Sequence, residues 1–404
     1  MDTIYEPAED SFLLQRYVQE YAFGRVLDVG TGSGIQALSA IEKPSVREVV
    51  AVDINLMAVS SLQEKIKKQH LRKITAIQSD LLAQVYGKFN TIIFNPPYLP
   101  QDKGISDPAL YGGKKGWELS EHFFQQVSPF LFPDGKILFL FSSLTNKEKI
   151  DTILEHHLFE FKLLDTQKLS FEELYIYEIQ KSPLLRKLEQ KSIERVEYFT
   201  HGKRGIIFTG ILDRSKLIKT HFPSTKDIMK VALKISREDS EALERIRNEA
   251  KWLQAVNEKG IGPKYLFHDE EYVTYQFVEG TDFLDWVEGK SIFEIMTILK
   301  KVLLQCYQLD LLQVNKEEMH HPFKHIIITA LDEPILLDFE RCANTLHPKN
   351  VTQFVEFMCK LEQRIPALKD KVSVDQLRDV AKEYKDNPDK ESFNTLLKMI
   401  SPKN

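Results

Sequence analysis

The chain has 404 residues, of which 43% are hydrophobic and 28% charged, and its formal net charge at pH 7 is −5. This length predicts two or three domains, with enough apolar residues for more than one core. Residues 1–183 carry 19 basic and 24 acidic side chains, which leaves 35 of each in residues 184–404. Neither part has the basic excess of a module that binds nucleic acid through its phosphates, so we predict no dedicated nucleic-acid-binding module.

The sequence shows no sign of membrane insertion or export. Its apolar runs are shorter than the ~20 residues that span a bilayer, and its first residues are acidic rather than signal-like. Cys306, Cys342 and Cys359 lie far apart, in an odd number and without the spacing of a metal site. Reduced thiols fit this pattern, and we predict a cytoplasmic protein that does not enter a membrane.

A glycine-rich segment begins the first set of motifs. Asp28-Val29-Gly30-Thr31-Gly32-Ser33-Gly34 follows a short apolar run and precedes a stretch with helical periodicity. This order predicts the first strand-to-helix turn of a doubly wound α/β sheet, where glycines allow a tight turn and a close approach to a ligand. The next apolar run ends in Asp53, about 20 residues beyond the loop, where a carboxylate accepts hydrogen bonds from ribose hydroxyls.

The segment Asn95-Pro96-Pro97-Tyr98 follows a third apolar run, 91–94, and is therefore expected at the carboxyl end of a strand. Ligands of doubly wound sheets bind at that edge. The Asn95 side-chain oxygen and the Pro96 carbonyl offer two acceptors for the protons of a planar amino or amide nitrogen, and Tyr98 can pack on the planar group. Proline fixes the turn at little entropic cost. We predict that this segment orients an acceptor nitrogen; an ordinary proline-rich turn is the alternative.

Together these motifs resemble the S-adenosylmethionine-dependent methyltransferases that modify planar amino nitrogens. The segment 4–14, which begins Ile-Tyr-Glu-Pro-Ala-Glu-Asp, closely resembles the archaeal and eukaryotic branch of HemK-like enzymes, which methylate the glutamine of the Gly-Gly-Gln motif in class I release factors. Segments 111–118 and 171–177 resemble a substrate loop and the last strand of that branch, although Trp117 stands where arginine is expected. The resemblance covers residues 1–181 and implies a Rossmann-like sheet of seven strands.

The resemblance also implies the roles of individual residues. Glu6 and Ser11 would close over the methionine end of the cofactor, Asp53 would hold its ribose, and Asp80 and Leu81 would flank its adenine. The predicted cofactor-binding residues are Glu6, Ser11, Asp28, Gly30, Gly32, Gly34, Asp53, Asp80, Leu81 and Asn95, and the predicted catalytic residues are Asn95, Pro96 and Tyr98. No metal is expected. The implied partners are a class I release factor, as substrate, and a separate small zinc-binding activator subunit.

The end of this first domain is expected near Lys181-Ser182-Pro183, a charged, proline-containing stretch. We predict a methyltransferase domain over 1–181, a linker over 182–192 and a second domain over 193–404. Strands expected in the first domain alternate with helical stretches, which favours a parallel sheet covered on both faces. They lie near 25–29, 48–53, 74–78, 91–95, 136–142 and 174–180. The last of them is expected to run antiparallel at the edge.

The second domain contains five motifs whose order and spacing resemble the archaeal kinase-like proteins related to small atypical kinases. They are a glycine turn at 201–208, the strand 231–234, the helix 248–253, a hinge at 275–280 and the segment 335–341. The resemblance implies an α+β protein-kinase-like fold that binds ATP and Mg²⁺. The predicted ATP-binding residues are Gly202, Gly205, Lys234, Glu249, Glu318 and Asp338. A surface ion pair is the alternative for Lys234 and Glu249.

The catalytic loop of this second domain departs from the kinase pattern. Within 316–326, Glu318 and His325 replace the usual aspartate and asparagine. Imidazole is a poor magnesium ligand, and adjacent histidines beside a proline rarely converge on another metal. The domain is therefore expected either to bind ATP in a regulatory role or to serve as a docking module.

Three functions stay open on the sequence. The first is methyl transfer to the amide nitrogen of a protein glutamine, with a regulatory C-terminal domain. The second makes an atypical serine/threonine kinase the main activity, and the third keeps methyl transfer but moves it to an amino group of a nucleic acid base. Intact methyltransferase motifs beside an altered kinase loop favour the first.

Overall fold

The computed structural model describes residues 4–100, 112–202, 205–217, 228–236, 242–361, 363–365, 368 and 373–400. These residues form two compact units. The first takes its residues from 1–198 and 210–229, and the second from 199–209 and 230–404. No helix in the described ranges is both long and apolar enough to cross a bilayer.

A seven-stranded sheet forms the centre of the first unit, as the resemblance implies. Its strands are β1 (Gly24–Val29), β2 (Val46–Asp53), β3 (Ile74–Gln78), β4 (Phe89–Phe94), β5 (Leu131–Ser142), β6 (Phe159–Lys168) and β7 (Glu173–Lys181). The strand order is β3-β2-β1-β4-β5-β7-β6. The pairs from β3 to β5 are parallel, whereas β7 runs antiparallel to both of its neighbours.

The expectation that the last strand lies at the edge is wrong. The edge strand is β6, and β7 lies between β5 and β6. Sequence analysis missed β6 because charged and apolar residues mix along Phe-Glu-Phe-Lys-Leu-Leu-Asp, and most of its side chains are at least partly exposed. An edge strand with one wet face lacks the continuous apolar run of the central strands.

Helices cover the sheet in this unit. They are α1 (Glu9–Tyr21), α2 (Ile35–Ile41), α3 (Leu56–Lys68), α4 (Glu118–Val127), α5 (Lys147–His156), α6 (Pro183–Gln190) and the single turn α7 (Arg214–Leu217). Helix α6 occupies most of the segment 182–192 that was predicted as a linker, and it buries Leu185 and Leu188. Ser182 caps this helix by accepting a hydrogen bond from the Leu185 backbone N–H, and proline at the first helical position strengthens the start.

The two faces of strand β5 bury different side chains. Leu138 and Leu140 belong to an aliphatic core shared with α1, α2 and α3. Phe139 points to the opposite face, where its ring centroid lies 5.3 Å from that of Phe124 on α4 and 5.9 Å from that of Phe94. Because side chains alternate along a strand, one apolar run supplies both cores. Each buried phenylalanine stabilises the fold by roughly 1.5–3 kcal/mol.

A buried ion pair joins α6 to the last residue of β7. The Lys181 side chain is fully buried and donates hydrogen bonds to Glu189 Oε1 at 2.7 Å and to the Leu131 backbone oxygen at 2.8 Å. The hydroxyl of Ser128 also donates to Glu189. Burial lowers the pKa of Lys181 to about 8 despite the neighbouring carboxylate. The charge of Glu189 therefore compensates a lysine that has no access to water.

We expect Glu189→Ala to lower the free energy of unfolding by about 3 kcal/mol, because it leaves a buried lysine without its counter-ion. Urea denaturation measures the change. Lys168→Gln, which removes one partner of the exposed pair Lys168–Glu173, is the control and is expected to cost less than about 0.5 kcal/mol. Equal losses in the two variants would contradict the buried-pair interpretation.

The second unit combines small sheets with helices. The strands that lie wholly or partly in it are β8 (Ile193–His201), β9 (Gly205–Asp213), β10 (Ile228–Ser236), β11 (Tyr265–His268), β12 (Tyr272–Gln276), β13 (Thr281–Asp282), β14 (Val314–Lys316), β15 (Ile326–Ile328), β16 (Pro334–Leu336) and β17 (Cys342–Asn344). The order β11-β12-β10-β9-β8 forms a five-stranded sheet. The division between the units falls within β8, β9 and β10, downstream of the boundary predicted near 181.

The helices of the second unit are α8 (Ala242–Asn257), α9 (Phe283–Trp286), α10 (Ile292–Leu311), α11 (Asn350–Leu361), α12 (Val374–Asp386) and α13 (Lys390–Met399). A buried polar cluster joins three of them. Asp310 on α10 accepts hydrogen bonds from the Asn350 side chain on α11 at 2.7 Å and from the Tyr384 hydroxyl on α12 at 3.0 Å. The cluster satisfies a carboxylate that is only 7% exposed.

Candidate active site

A cavity of about 740 Å³ opens at the carboxyl ends of β1, β2 and β4. It brings together most of the site residues predicted for the first domain. Those that line it are Ser11, Asp28, Gly30, Gly32, Asp53, Asp80, Leu81, Asn95, Pro96 and Tyr98. Glu6 and Gly34 do not line it: Glu6 is exposed, and Gly34 is the residue at which α2 begins. Tyr5 and Asp10 line the cavity near the position expected for Glu6.

The carboxylate of Asp28 accepts hydrogen bonds from the glycine loop and from the helix that follows it. Asp28 Oδ2 accepts hydrogen bonds from the Thr31 hydroxyl at 2.6 Å and from the Ala37 backbone N–H at 3.1 Å. Gly34 supplies no side-chain cap for α2, so Asp28 satisfies one of the unpaired N–H groups at the start of that helix. Burial raises the pKa of Asp28 to about 7, although the two hydrogen bonds act in the opposite direction and lower that pKa.

Asp53 connects the end of β2 to the same loop. One carboxylate oxygen accepts the Gly32 backbone N–H at 2.8 Å, and the other accepts the Asn55 backbone N–H at 2.8 Å. Each oxygen keeps a further lone pair, and the side chain lines the cavity. The carboxylate is therefore fixed in direction and still able to accept hydrogen bonds from a ligand.

The turn after β3 carries the other pair predicted to flank a nucleobase. Leu81 has a left-handed backbone, with φ of 45°. Ser79, which sequence analysis did not select, holds the turn: its hydroxyl donates to the Leu81 backbone oxygen at 3.0 Å and accepts the Gln84 backbone N–H at 3.0 Å. These bonds place Asp80 and Leu81 at the cavity wall.

Asn95 presents a free acceptor to the cavity. Its side-chain nitrogen donates to Asp10 Oδ2 at 2.8 Å. Its side-chain oxygen is buried and has no hydrogen-bond partner among the described residues. A buried polar atom without a partner is costly unless a ligand satisfies it. Pro96 is buried beside it, and burial together with the charge of Asp10 raises the pKa of the nearby Tyr98 hydroxyl.

A second glycine-containing loop packs against the backbone of Pro97 and Tyr98. A Cβ atom on Gly112 would lie 2.4 Å from the Pro97 backbone oxygen, and one on Gly116 would lie 2.5 Å from the Tyr98 backbone oxygen. Only glycine allows this close approach of two backbones. These glycines belong to the segment 111–118 that was predicted as a substrate loop; Tyr111 lies outside the described residues. Trp117 follows the loop at the start of α4, with the Lys115 ammonium 5.1 Å from its ring centroid.

The cavity fits S-adenosylmethionine in size and in polar groups. A Cβ built on Gly30 or Gly32 would meet nothing within 4 Å, which leaves room for a ligand against the loop. Asp53 offers acceptors for ribose hydroxyls. A volume of about 740 Å³ lies within the range of small-molecule sites, and Asn95 leaves a second polar position for an acceptor group.

Comparison with known proteins places the first unit in a family. Residues 9–170 match the model of the methyltransferase small domain. A protein of Methanocaldococcus jannaschii, provisionally named a protein N5-glutamine methyltransferase, is 35% identical over 178 residues, which cover 43% of this chain and 89% of the relative. The chain belongs to the protein N5-glutamine methyltransferase family. It is an S-adenosylmethionine-dependent methyltransferase.

Further relatives of the methyltransferase are known. The release factor glutamine methyltransferase of Deinococcus radiodurans is 36% identical over 123 residues, which cover 28% of this chain and 44% of that protein. The solved Mtq2–Trm112 complex of E. cuniculi, described as responsible for methylation of the eRF1 translation termination factor, matches with 25% identity and a TM-score of 0.37, and covers 44% of this chain and 99% of the solved chain.

The second unit of the methyltransferase concentrates charge around Lys234. The Lys234 ammonium lies 2.6 Å from Glu249, 2.9 Å from Asp338 and 3.0 Å from Glu340. The lysine and Glu249 are 12% and 2% exposed, so the alternative of a surface pair is wrong. Burial would lower the pKa of Lys234, but the three carboxylates outweigh it and raise that pKa well above the usual value. Glu340 lies in the predicted segment 335–341 but was not among the predicted ATP-binding residues.

Other residues predicted for this region are only partly gathered there. Glu318 lies 3.3 Å from Lys316, a fully buried lysine that also donates to the Asp338 backbone oxygen. His325 Nδ1 lies 3.8 Å from Asp338, and burial lowers its pKa. In the part of the chain that the structure describes, Glu249, Asp338 and Glu340 form a group of potential metal ligands, and the histidines of segment 316–326 do not belong to it.

The glycine turn of the second unit is present between β8 and β9. The Gly202 backbone N–H donates to the Gly205 backbone oxygen at 2.9 Å. Residues 203 and 204 of this predicted motif lie outside the described residues. A Cβ on Gly205 would lie 2.8 Å from the Ile235 backbone oxygen, which explains glycine there by strand packing alone. A nucleotide role for these glycines stays a prediction.

The raised pKa of Asp28 predicts a pH-dependent stability difference between the wild type and Asp28→Asn. Because the folded-state pKa is about 7 and the unfolded carboxyl titrates near 3.9, the folded state binds more protons between these values. The free energy of unfolding of the wild type should therefore rise relative to that of Asp28→Asn as the pH falls from 8 to 5. Below pH 7 the rise should be up to about 1.4 kcal/mol per pH unit. Urea denaturation of both proteins measures it, and a pH-independent difference would contradict the assignment.

Proposed function

We propose that this methyltransferase transfers a methyl group to the side-chain amide nitrogen of a protein glutamine, in the Gly-Gly-Gln motif of a class I release factor. The observation that carries the proposal is the buried Asn95 oxygen, which has no hydrogen-bond partner among the described residues and belongs to a cavity that the glycine-loop residues also line. The family relationship and the name of the Deinococcus radiodurans relative support a release factor as substrate.

An amide nitrogen is a weak nucleophile, because its lone pair is delocalised into the carbonyl group. Asn95 Oδ1 and the Pro96 carbonyl would accept its two protons and so aim the lone pair along one direction. Tyr98 would pack on the planar amide. These contacts position the acceptor and exclude water, which is where most of the catalysis would come from in a site without a strong base.

The cofactor residues would hold the methyl donor on the other side of the acceptor. We assign Asp53 to the ribose hydroxyls, Asp80 and Leu81 to the adenine, and the loop shaped by Asp28 to the region between them. S-adenosylmethionine supplies a methyl group on a positively charged sulfur when it is bound. Transfer makes a nitrogen–carbon bond, breaks the carbon–sulfur bond and releases one amide proton to solvent.

The direct test incubates the purified full chain with labelled S-adenosylmethionine and a class I release factor, with and without a small zinc-binding activator of this family. We expect label on the Gly-Gly-Gln glutamine, located by mass spectrometry. A requirement for the activator would support the partner predicted from the resemblance. Label on RNA or on another protein, with none on the release factor, would retain methyl transfer and overturn the substrate.

Asn95→Ala should lower turnover on the release factor by at least about 100-fold, because it removes an acceptor that acts on the substrate nitrogen. Affinity for S-adenosylmethionine, measured by calorimetry, should change by less than about threefold. Asn146→Ala is the control: Asn146 caps α5 and does not line the cavity, so its loss should leave turnover unchanged. Loss of cofactor binding in Asn95→Ala with normal turnover at saturation would contradict the role.

A second activity is favoured by the ion cluster around Lys234. A buried lysine paired with a helix glutamate, with an aspartate within 3 Å, is the arrangement that kinases use for nucleotide phosphates. We infer that the second unit binds ATP, with Lys234 at the phosphates and with Asp338 and Glu340 as the residues that would hold Mg²⁺. Regulation of the methyltransferase fits this unit better than phosphorylation, because Glu318 and His325 replace the catalytic aspartate and asparagine.

Lys234→Met should weaken binding of MgATP by at least about 30-fold, through loss of a charge-assisted contact with the phosphates. Isothermal titration with MgATP measures it. Lys230→Met is the matched control on the same strand, because Lys230 is exposed and lies over the Phe277 ring. Glu340→Gln removes a carboxylate assigned to Mg²⁺, so it should also weaken binding of MgATP. Absence of binding by the wild type would remove this second activity.

A further inference from the structure

Asp10 is a buried acidic residue that lines the cavity. It lies in the first turn of α1 and is only 5% exposed. Its Oδ1 accepts hydrogen bonds from the Tyr5 hydroxyl at 3.1 Å and from the Ser11 hydroxyl at 3.3 Å. Its Oδ2 accepts one from the Asn95 side-chain nitrogen at 2.8 Å. A buried carboxylate with this set of donors costs free energy to desolvate, so its placement calls for a function.

The contact with Asn95 decides which end of that side chain faces the acceptor. An asparagine amide has an acceptor oxygen and a donor NH₂ group of nearly the same shape. An ionised carboxylate only accepts hydrogen bonds, so Asp10 binds the NH₂ end alone. The oxygen of Asn95 is then left without a partner among the described residues, in the cavity wall. Turned over, the same amide would present its own N–H groups to a substrate NH₂ group, and neither could accept.

We infer that Asp10 is a positioning residue for methyl transfer: it locks the Asn95 amide with its oxygen toward the acceptor nitrogen. The inference rests on the function proposed above and adds a residue to it. The carboxylate also polarises the amide through the shared hydrogen bond, which makes the Asn95 oxygen a stronger acceptor. That oxygen faces the nitrogen on which positive charge develops during transfer, so stabilisation there grows toward the transition state.

The surroundings hold Asp10 in this position. The Gln36 side-chain nitrogen on α2 donates to the Ser11 backbone oxygen at 2.8 Å, which ties the start of α1 to the helix that follows the cofactor loop. Tyr5 donates from the segment before α1, and burial followed by the charge of Asp10 raises the pKa of its hydroxyl. The orientation of Asn95 therefore depends on contacts from α1, α2 and the segment before α1.

A purely structural role for Asp10 is the competing explanation, because acidic residues in the first turn stabilise a helix through its dipole. Substitution of Glu9 distinguishes this structural explanation from the proposed positioning role. It is the preceding acidic residue of the same first turn, and it is exposed. No hydrogen bond joins it to Asn95. Glu9→Gln therefore removes a helix-dipole charge without touching the amide, and it is the matched control for Asp10→Asn.

The first experiment measures release-factor methylation by the full-length wild type, Asp10→Asn, Asp10→Ala, Asn95→Ala, Glu9→Gln and the double variant Asp10→Ala/Asn95→Ala. We expect Asp10→Asn and Asp10→Ala to lower kcat by about 10- to 100-fold, the worth of one hydrogen bond to a charged group. The KM for S-adenosylmethionine should stay within about threefold, and Glu9→Gln should match the wild type.

The double variant gives the decisive comparison. If Asp10 acts through Asn95, removing Asp10 from the Asn95→Ala protein should change kcat by less than about twofold, because the group that it orients is already gone. Losses that multiply in the double variant would overturn the inference. So would a decrease in Glu9→Gln equal to that in Asp10→Asn.

The second experiment is independent of the substrate. In the ¹⁵N-labelled protein, the side-chain NH₂ signals of Asn95 are those missing from Asn95→Ala. We expect them to shift and to exchange faster with water in Asp10→Ala, but not in Glu9→Gln, because no side-chain acceptor remains at position 10. Unchanged signals would overturn the inference. An inactive wild type with shifted signals would overturn the proposed substrate and leave the orientation by Asp10 established.

Discussion

The glycine loop of the first unit depends on how two carboxylates at the carboxyl edge of the sheet are satisfied, one buried (Asp28) and one partly buried (Asp53). Asp28 ends one central strand and takes hydrogen bonds from the glycine loop and from the start of α2. Asp53 ends the neighbouring strand and takes one from the same loop. Because a buried charge without partners costs several kcal/mol, the hydrogen bonds to Asp28 favour the loop conformation that also places the Gly32 N–H on Asp53. The cofactor edge is built by this requirement before any ligand is bound.

The side of the cavity around Asn95 combines satisfied polar groups with buried oxygens that have no partner among the described residues. Asp10, Tyr5 and Ser11 satisfy one another, and Asp10 takes the nitrogen of Asn95. The Asn95 oxygen has no hydrogen-bond partner among the described residues, and the same is true of Gln36 Oε1 and Glu172 Oε2, whose residues line the same cavity. In a well-packed protein such an atom marks the place where a substrate completes the hydrogen bonding. Gly112 and Gly116 let a second backbone pass close behind Pro97 and Tyr98, so the segment has little freedom to turn this oxygen away.

The second unit uses charge in a different way. Three carboxylates surround one ammonium group at Lys234, and a second buried lysine, Lys316, contacts the backbone of Asp338. The two lysines offset only part of the negative charge of the three carboxylates, and burial raises the pKa of Glu249. Glu249, Asp338 and Glu340 together occupy the three donors of the Lys234 ammonium. The ATP binding proposed for this unit would therefore compete with internal ion pairs.

The sequence alone determined the α/β class of the first unit, its glycine loop, Asp53 and the Asn-Pro-Pro-Tyr segment, because strand periodicity and turn chemistry are local properties. It did not reveal the edge strand β6, whose mixed face carries no clear apolar run, or the helix within the predicted linker. Only the tertiary structure brought Asp10 to Asn95 across 85 positions and Glu340 to Lys234 across more than a hundred. Side-chain hydrogen bonds between distant segments depend on how the elements pack, and no local pattern encodes which end of an amide a carboxylate will bind.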